Sequence, residues 1–220
     1  MDRRLFAQSL AGAAAFGLLR PALAAGQGTG CAKTVYLTFD TGHMGIADLV
    51  ADVLKRHAVP VTFFAANEPT QQGDGSLGET WAPWWRARAA EGHEFASHTY
   101  DHMYWRGDLR ASKNGPVTGF RVRPSAGPRA NENFTVDAAG YCDEIRRSAQ
   151  RLQQITGRKP LPLFRAPGGK TSPALLDAAR QGGYMHVGWS SAGFLGDELP
   201  SDKYPNERLL AQALKNIGNG

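Results

Sequence analysis

Lys33-Thr34-Val35-Tyr36-Leu37-Thr38-Phe39, closed by Asp40-Thr41-Gly42-His43 and followed after one helical stretch by Val61-Thr62-Phe63-Phe64, decides the fold. The first run has the β-branched and aromatic content of a buried strand. Residues 46 to 57 carry apolar side chains at 46, 49, 50, 53 and 54, which predicts a helical face. Pro60 ends that helix, and the second β-rich run follows at once. Strand, helix, strand in this order is the grammar of a parallel sheet or barrel.

Working outward, the pattern repeats. Residues 71 to 78 form a polar, Gly-rich loop. Residues 81 to 90 predict a second helix, whose Trp81, Trp84 and Trp85 suit either stacking on sugar rings or core packing. A third strand is expected at 93–97. Residues 103–136 are dense in Gly, Pro, Asn and Ser and are expected to form an irregular insert, of the kind that serves as a lid or stays disordered. Helix returns at 136–157, with Asp137 as N-cap and Gly157 just past the end. A fourth strand is expected at 161–164. Next comes a helix capped by Thr171 or Ser172, with Pro173 in its first turn, running to about Gln181. A fifth strand at 185–190 and a helix at 207–217 complete the reading.

Three polar clusters follow three of these strands directly: Asp40 to His43, His98 to His102, and Arg165-Ala166-Pro167-Gly168-Gly169. Residues just past the C-terminal strand ends of a parallel sheet share one rim. Asp40, His98, His102 and Arg165 are thereby expected to converge. His98 and His102 point the same way if the segment between them is helical. Neutral imidazole is a common ligand for divalent metals. Each residue also has a plain structural use: Asp40 as a helix cap, Arg165 in an ion pair, Gly168 and Gly169 in a turn.

Composition sets the outer limits. At 220 residues the chain is long enough for one domain with a sizeable core, and 42% hydrophobic with 20% charged residues is ordinary globular composition. The formal charge of +5 includes Arg3, Arg4 and Arg20 against Asp2. The remaining excess of about +3, scattered along the chain, argues against nucleic acid as a partner. Residues 1–24 resemble an export signal. They have a basic start, a small apolar run from Leu10 to Leu19, and an Ala22-Leu23-Ala24 cleavage pattern. Arg3-Arg4-Leu5-Phe6 resembles the twin-arginine pattern, with plain Sec export left open. The run is too short to span a bilayer comfortably, so no stable membrane insertion is expected after cleavage. The expected location is the periplasm or the exterior, where Cys31 and Cys142 are free to form a bridge if their geometry allows.

Thr38-Phe39-Asp40-Thr41-Gly42, His98-Thr99-Tyr100-Asp101-His102 and Arg165-Ala166-Pro167-Gly168-Gly169 resemble, in order, the first three motifs of the polysaccharide deacetylases. These are the NodB-homology proteins, or carbohydrate esterase family four. The resemblance covers residues 33–220. It implies a distorted parallel (β/α) barrel and metal-dependent removal of acetyl groups from an acetylated glycan, N-acetylglucosamine-type above all. By the same likeness Asp40 would be the general base and Arg165 its orienting partner. His98 and His102 would hold a divalent ion, zinc foremost. Trp189, Pro167, Gly168 and Tyr100 would line the substrate pocket. An Arg beside Asp40 is expected to depress its pKa and keep it ionised.

The chain departs from the family pattern in three places. Thr41 stands where the family has a second Asp that binds metal, which leaves Thr41 and the nearby His43 as weak candidate ligands. The acidic residue that should hold Arg165 is not evident, Asp197 being the nearest guess. The family's last motif, a Leu-x-His carrying the general acid, is missing, and the chain reads as a barrel truncated before its last strand. Two other readings share these motifs: a carbohydrate-binding pseudoenzyme, and an amidase acting on a non-sugar substrate.

Overall fold

The computed structural model describes residues 35–189 and 200–218. Five strands make a parallel sheet in the order β1 (Thr38–Asp40), β2 (Thr62–Ala65), β3 (Glu94–Ser97), β7 (Leu163–Phe164) and β8 (Met185–His186). Helices α1 (Ala47–His57), α2 (Ala82–Ala90), α3 (Ala138–Thr156) and α4 (Pro173–Gln181) intervene in the chain, and α5 (Asn206–Gly218) follows. The β-α grammar read from the sequence is therefore present. Among the described residues β1 and β8 are the edge strands, and the sheet does not close on itself.

Two helices end as their sequences dictate. Asp137 accepts a hydrogen bond from Gly140 N–H at 2.8 Å, and Gly157 caps the far end of α3 at φ 70°. Ser172 accepts from Leu175 N–H at 3.1 Å, with Pro173 opening α4. Helix α1 corrects its expected face. Ala47, Ala51 and Leu54 are buried, while Ile46, Leu49 and Val53 are exposed. The small alanines let the helix lie close to the sheet, and the larger residues are left outside.

Residues 103–136 are not irregular. They fold as a three-stranded antiparallel sheet, β4 (Met103–Arg110), β5 (Val117–Pro124) and β6 (Phe134–Val136). Phe120, Val122 and Met103 are buried in a core with Tyr141, Ile145, Phe164 and Leu175. Asp108 ties this sheet to α4 by accepting from Ser172 Oγ at 2.6 Å and from Trp105 Nε1 at 3.2 Å.

A second core gathers Leu54, Phe63, Leu77, Phe95 and Leu152 around Trp85. Trp85 is fully buried and donates its indole N–H to Ser76 O at 2.7 Å. Trp84 packs on Phe63 and Trp85, so these two tryptophans serve the core rather than a sugar platform. No described helix is long and apolar enough to cross a membrane. Cys142 is a free thiol donating to Ala178 O, and burial pushes its pKa up. Cys31, the export signal, Asp197 and the end of the fifth expected strand lie outside the described residues.

Candidate active site

Register alone brings the polar clusters together. Asp40 pairs with Phe64, Ala65 with Ser97, and Ser97 with Phe164. The ladder continues one residue past each strand: His98 N–H donates to Ala65 O and Arg165 N–H to Ser97 O, both at 2.9 Å. Asp40, His98 and Arg165 therefore stand at the same end of neighbouring parallel strands.

The segment from His98 to His102 is a turn, not a helix. Thr99 and His102 both adopt left-handed backbone, at φ 60° and 49°. Each such residue without glycine's freedom costs about 1–3 kcal/mol and persists only when its surroundings fix it. Here they do. Thr99 Oγ1 accepts from Met103 N–H at 2.7 Å, Tyr100 N–H donates to Glu144 O at 2.9 Å, and Asp101 N–H donates to the Glu144 carboxylate at 2.8 Å. Arg147 bridges Asp101 and Glu144 from outside. The turn faces the two imidazoles toward each other, with Nε2 to Nε2 3.2 Å.

Arg165 is 3% exposed and fully engaged. Its guanidinium donates to Asp40 Oδ1 at 2.7 Å, Thr38 Oγ1 at 2.9 Å, Val187 O at 3.0 Å and Gly188 O at 3.2 Å. No second carboxylate holds it among the described residues; two backbone carbonyls and a threonine do that work. Its own carbonyl oxygen lies 2.9 Å from His98 Nδ1. A carbonyl only accepts, so His98 carries its proton on Nδ1 and presents a lone pair at Nε2. Asp40 Oδ2 is 3.8 Å from that Nε2.

The electrostatics correct one expectation. Burial lifts Asp40 above the ordinary carboxylate range, and Arg165 pulls it back only in part. Burial also pushes His98 down to about 4 and His102 to about 3, the latter helped by its neighbour His98. Both rings are neutral near pH 7, the state a metal requires.

The donor set fits a divalent ion in part. Two neutral nitrogens 3.2 Å apart are close to the ~3.4 Å edge of a tetrahedron built on nitrogen ligands. Among the described residues, no three His, Cys, Asp or Glu side chains are already grouped around one point. The Thr41 hydroxyl is already engaged elsewhere. Its hydroxyl accepts from Ala66 N–H at 2.8 Å and turns its proton toward Ala66 O at 3.4 Å, stitching the β1 loop to the end of β2. His43 is exposed, accepts from Gly45 N–H at 3.1 Å, and lines a separate cavity with Met44, Ile46 and Trp81. Asp40 is the carboxylate nearest the imidazole pair that the motifs supply.

Of the expected pocket residues, Trp189 covers Gly169 and stands 5.4 Å from the Arg165 guanidinium. Gly168, at φ 66°, faces Tyr104, and Pro167 is buried. Tyr100 does not join them: its ring lies under Arg147, 4.3 Å away, and against the Trp85 core. Three residues that the motifs do not announce do reach the site. Ser125 Oγ lies 2.5 Å and Glu68 Oε1 3.6 Å from His102 Nδ1, and the Tyr104 ring packs edge-on against His102 with centroids 4.9 Å apart. Glu68 lies three residues past the end of β2, which is the one positional signal that points to it.

A family model for polysaccharide deacetylase matches residues 27–187, and the chain belongs to that family. It is 27% identical over 185 residues to the peptidoglycan-N-acetylmuramic acid deacetylase PdaA of Bacillus subtilis, covering 82% of this chain and 56% of that protein. The solved structure of B. subtilis PdaA, a family 4 carbohydrate esterase, superposes with a TM-score of 0.53 at 23% identity, covering 85% of this chain and 75% of the other. A chitooligosaccharide deacetylase of Azorhizobium caulinodans is 26% identical over 161 residues, or 72% of this chain and 59% of that one. The chain thus spans little more than half the length of these two curated relatives. A family 4 acetyl xylan esterase of Clostridium thermocellum, solved with a cobalt ion, aligns with a TM-score of 0.50 at 19% identity, covering 84% of this chain and 67% of that one.

Proposed function

We propose that this chain hydrolyses acetyl groups from an acetylated glycan, with N-acetylated sugars as the principal substrates. The observation that carries the reading is the convergence of Asp40, Arg165, His98 and His102 at one end of the parallel sheet. Relatives named for acting on peptidoglycan and chito-oligosaccharide support it. His98 and His102 would hold a divalent ion, zinc in this reading. When bound, such an ion polarises the acetyl carbonyl and lowers the pKa of the attacking water.

The chain's own residues supply the rest. Asp40 would take a proton from the attacking water at Oδ2, the oxygen Arg165 leaves open. A carboxylate whose pKa is raised toward neutrality accepts a proton more readily than an ordinary one. Arg165 fixes the carboxylate plane, and its carbonyl fixes the His98 tautomer. The proton gained by Asp40 is then at hand for the departing nitrogen. Trp189, over Gly169, offers an aromatic face to a sugar ring. The basic start, apolar run and Ala22-Leu23-Ala24 pattern support action outside the cytoplasm.

The test is acetate release from N-acetylglucosamine oligomers, with divalent-metal content measured on the same sample. About one ion per chain together with acetate release is expected. Oligomers bound without acetate release would make this a carbohydrate-binding protein instead. Hydrolysis of a non-sugar amide alone would make it an amidase.

A further inference from the structure

We infer that the outer face of the β4–β5–β6 sheet binds the anionic groups of a glycan strand as it leaves the catalytic end, so that the substrate is an acidic, N-acetylated polysaccharide. This rests on the deacetylase reading and narrows its substrate class. Residues 103–136 hold six basic side chains against two acidic ones, a local net of +4. The other residues after 34 hold 15 Lys and Arg against 17 Asp and Glu, a net of −2. Lys and Arg are scattered along the chain, but the net positive charge lies in this segment, because acidic residues offset the basic ones elsewhere.

Half of these basic side chains, Arg106, Arg121 and Arg123, belong to one face of the β4–β5 pair. Across β4–β5, Tyr104 pairs with Arg123 and Gly107 with Arg121, so these side chains point the same way. Phe120, Val122 and Phe134 occupy the opposite, inner face against the core. Both acids are spent elsewhere: Asp108 accepts from Ser172 and Trp105, and Glu132 pairs with Arg129. Among the described residues Arg106, Arg121 and Arg123 form no ion pair, and Arg123 reaches only Asn131 at 3.5 Å. Guanidiniums gathered on one face without a carboxylate make that face electropositive, and an anion relieves the excess charge.

Two details tie the face to the site. The Arg106 guanidinium stacks 4.9 Å from the centre of the Tyr104 ring, and that ring packs on His102. A strand leaving the imidazole pair thus passes Tyr104 and meets arginine next. Gly107, at φ 152°, is the second. A Cβ there would lie 2.7 Å from Arg121 Nη2, so the missing side chain is what lets the Arg121 guanidinium lie flat on the sheet. A flat guanidinium with its edge free suits a carboxylate or a phosphate through paired N–H donors.

The experiment measures binding and acetate release for chitohexaose, for a hyaluronan hexasaccharide with alternating carboxylates, and for a glycerol-phosphate-substituted chito-oligomer. Each is run at low and at 0.3 M salt. The wild-type chain is compared with a triple Arg106→Gln, Arg121→Gln, Arg123→Gln variant of unchanged circular dichroism. The expected result is at least tenfold tighter binding of one charged glycan over chitohexaose, lost in the variant and weakened by salt. Chitohexaose binding should stay within twofold. The two charged probes separate carboxylate from phosphate. Equal affinity for charged and neutral glycans, or a charge preference that survives in the variant, would overturn the inference while leaving the deacetylase reading intact. Arginine-dependent binding of polyglutamate as tight as that of the glycans would overturn it too, as a general polyanion surface. Charged glycans bound through the arginines but with no acetate released from any probe would instead sink the deacetylase reading.

Discussion

The carbonyl oxygen of Arg165 accepts the Nδ1 proton of His98 at 2.9 Å, while the guanidinium of the same Arg165 grips Asp40 at 2.7 Å. One residue thus sets the tautomer of an imidazole with its backbone and the orientation of a carboxylate with its side chain. Substitution at 165 removes only the second of these.

Arg165→Met should therefore leave His98 in place and strand Asp40 without its cation. Losing one partner of a buried pair costs about 3–5 kcal/mol. Asp40 is partly exposed, which puts the expected loss at the low end of that range. Asp40→Asn should keep both metal and fold, and lower acetate release by ~100-fold or more, as removal of a general base does. Urea midpoints, metal content and turnover measured on both variants check this. Metal lost along with activity in Asp40→Asn would make Asp40 a ligand.

Thr41→Val separates a stitching hydroxyl from a ligand. The Ala66 amide would lose its acceptor, at a cost of about 1–3 kcal/mol. Metal stoichiometry should not change. His98→Ala and His102→Ala should each abolish it. Elemental analysis of the three variants reads the difference directly.

Glu144→Ala should loosen the turn that carries both histidines, because Asp101 N–H loses its carboxylate and Arg147 its inner partner. The expected outcome is a weaker metal Kd, by about tenfold, the size seen when groups behind metal ligands are removed. Glu144→Gln keeps an acceptor oxygen and should restore most of the affinity. Titration with a divalent ion under matched conditions tests both.

The metal-free chain should lose stability in mild acid. Unfolded imidazoles take up protons near their ordinary value of 6.5, whereas His98 resists until about 4 and His102 until about 3. Between those values the unfolded state binds more protons, so acid favours it. Stability is fully retained above about pH 6.5 and falls as pH drops toward 4. Urea midpoints at pH 7.5, 6 and 5 in the presence of a chelator should show the fall. A His98→Gln, His102→Gln variant should show a flatter profile.

The sequence made the parallel sheet legible because β-branched runs alternate with capped helices. Asp137, Gly157, Ser172 and Pro173 act as local chemistry requires, with no help from distant parts of the chain. It misled where local and distant effects compete. Gly107, Gly119 and the Asn-Gly-Pro turn at 114–116 made the inserted sheet read as loop, although Phe120 and Val122 alternate with Arg121 and Arg123 as a half-buried strand should. The His-x3-His spacing suggested helix, yet hydrogen bonds donated to Glu144, 42 residues beyond His102, hold it as a left-handed turn. Asp40, His98 and Arg165 were readable because each ends or directly follows a strand, and His102 because it lies four residues past His98. Ser125 and Tyr104 were not, since they arrive through the pairing of β4 with β5.

The turn at His102 has a bearing on the order of assembly. Ser125 N–H donates to His102 O at 3.2 Å, and its hydroxyl meets the ring. As the chain emerges during synthesis, Asp40 and both histidines appear first, yet neither imidazole has its Nδ1 partner. His102 waits for the β4–β5 hairpin to close, and His98 waits for residue 165. Until then the two rings are free to adopt other tautomers and to bind metal in other ways. The paired imidazoles thus reach their final form only after β7 has docked beside β3.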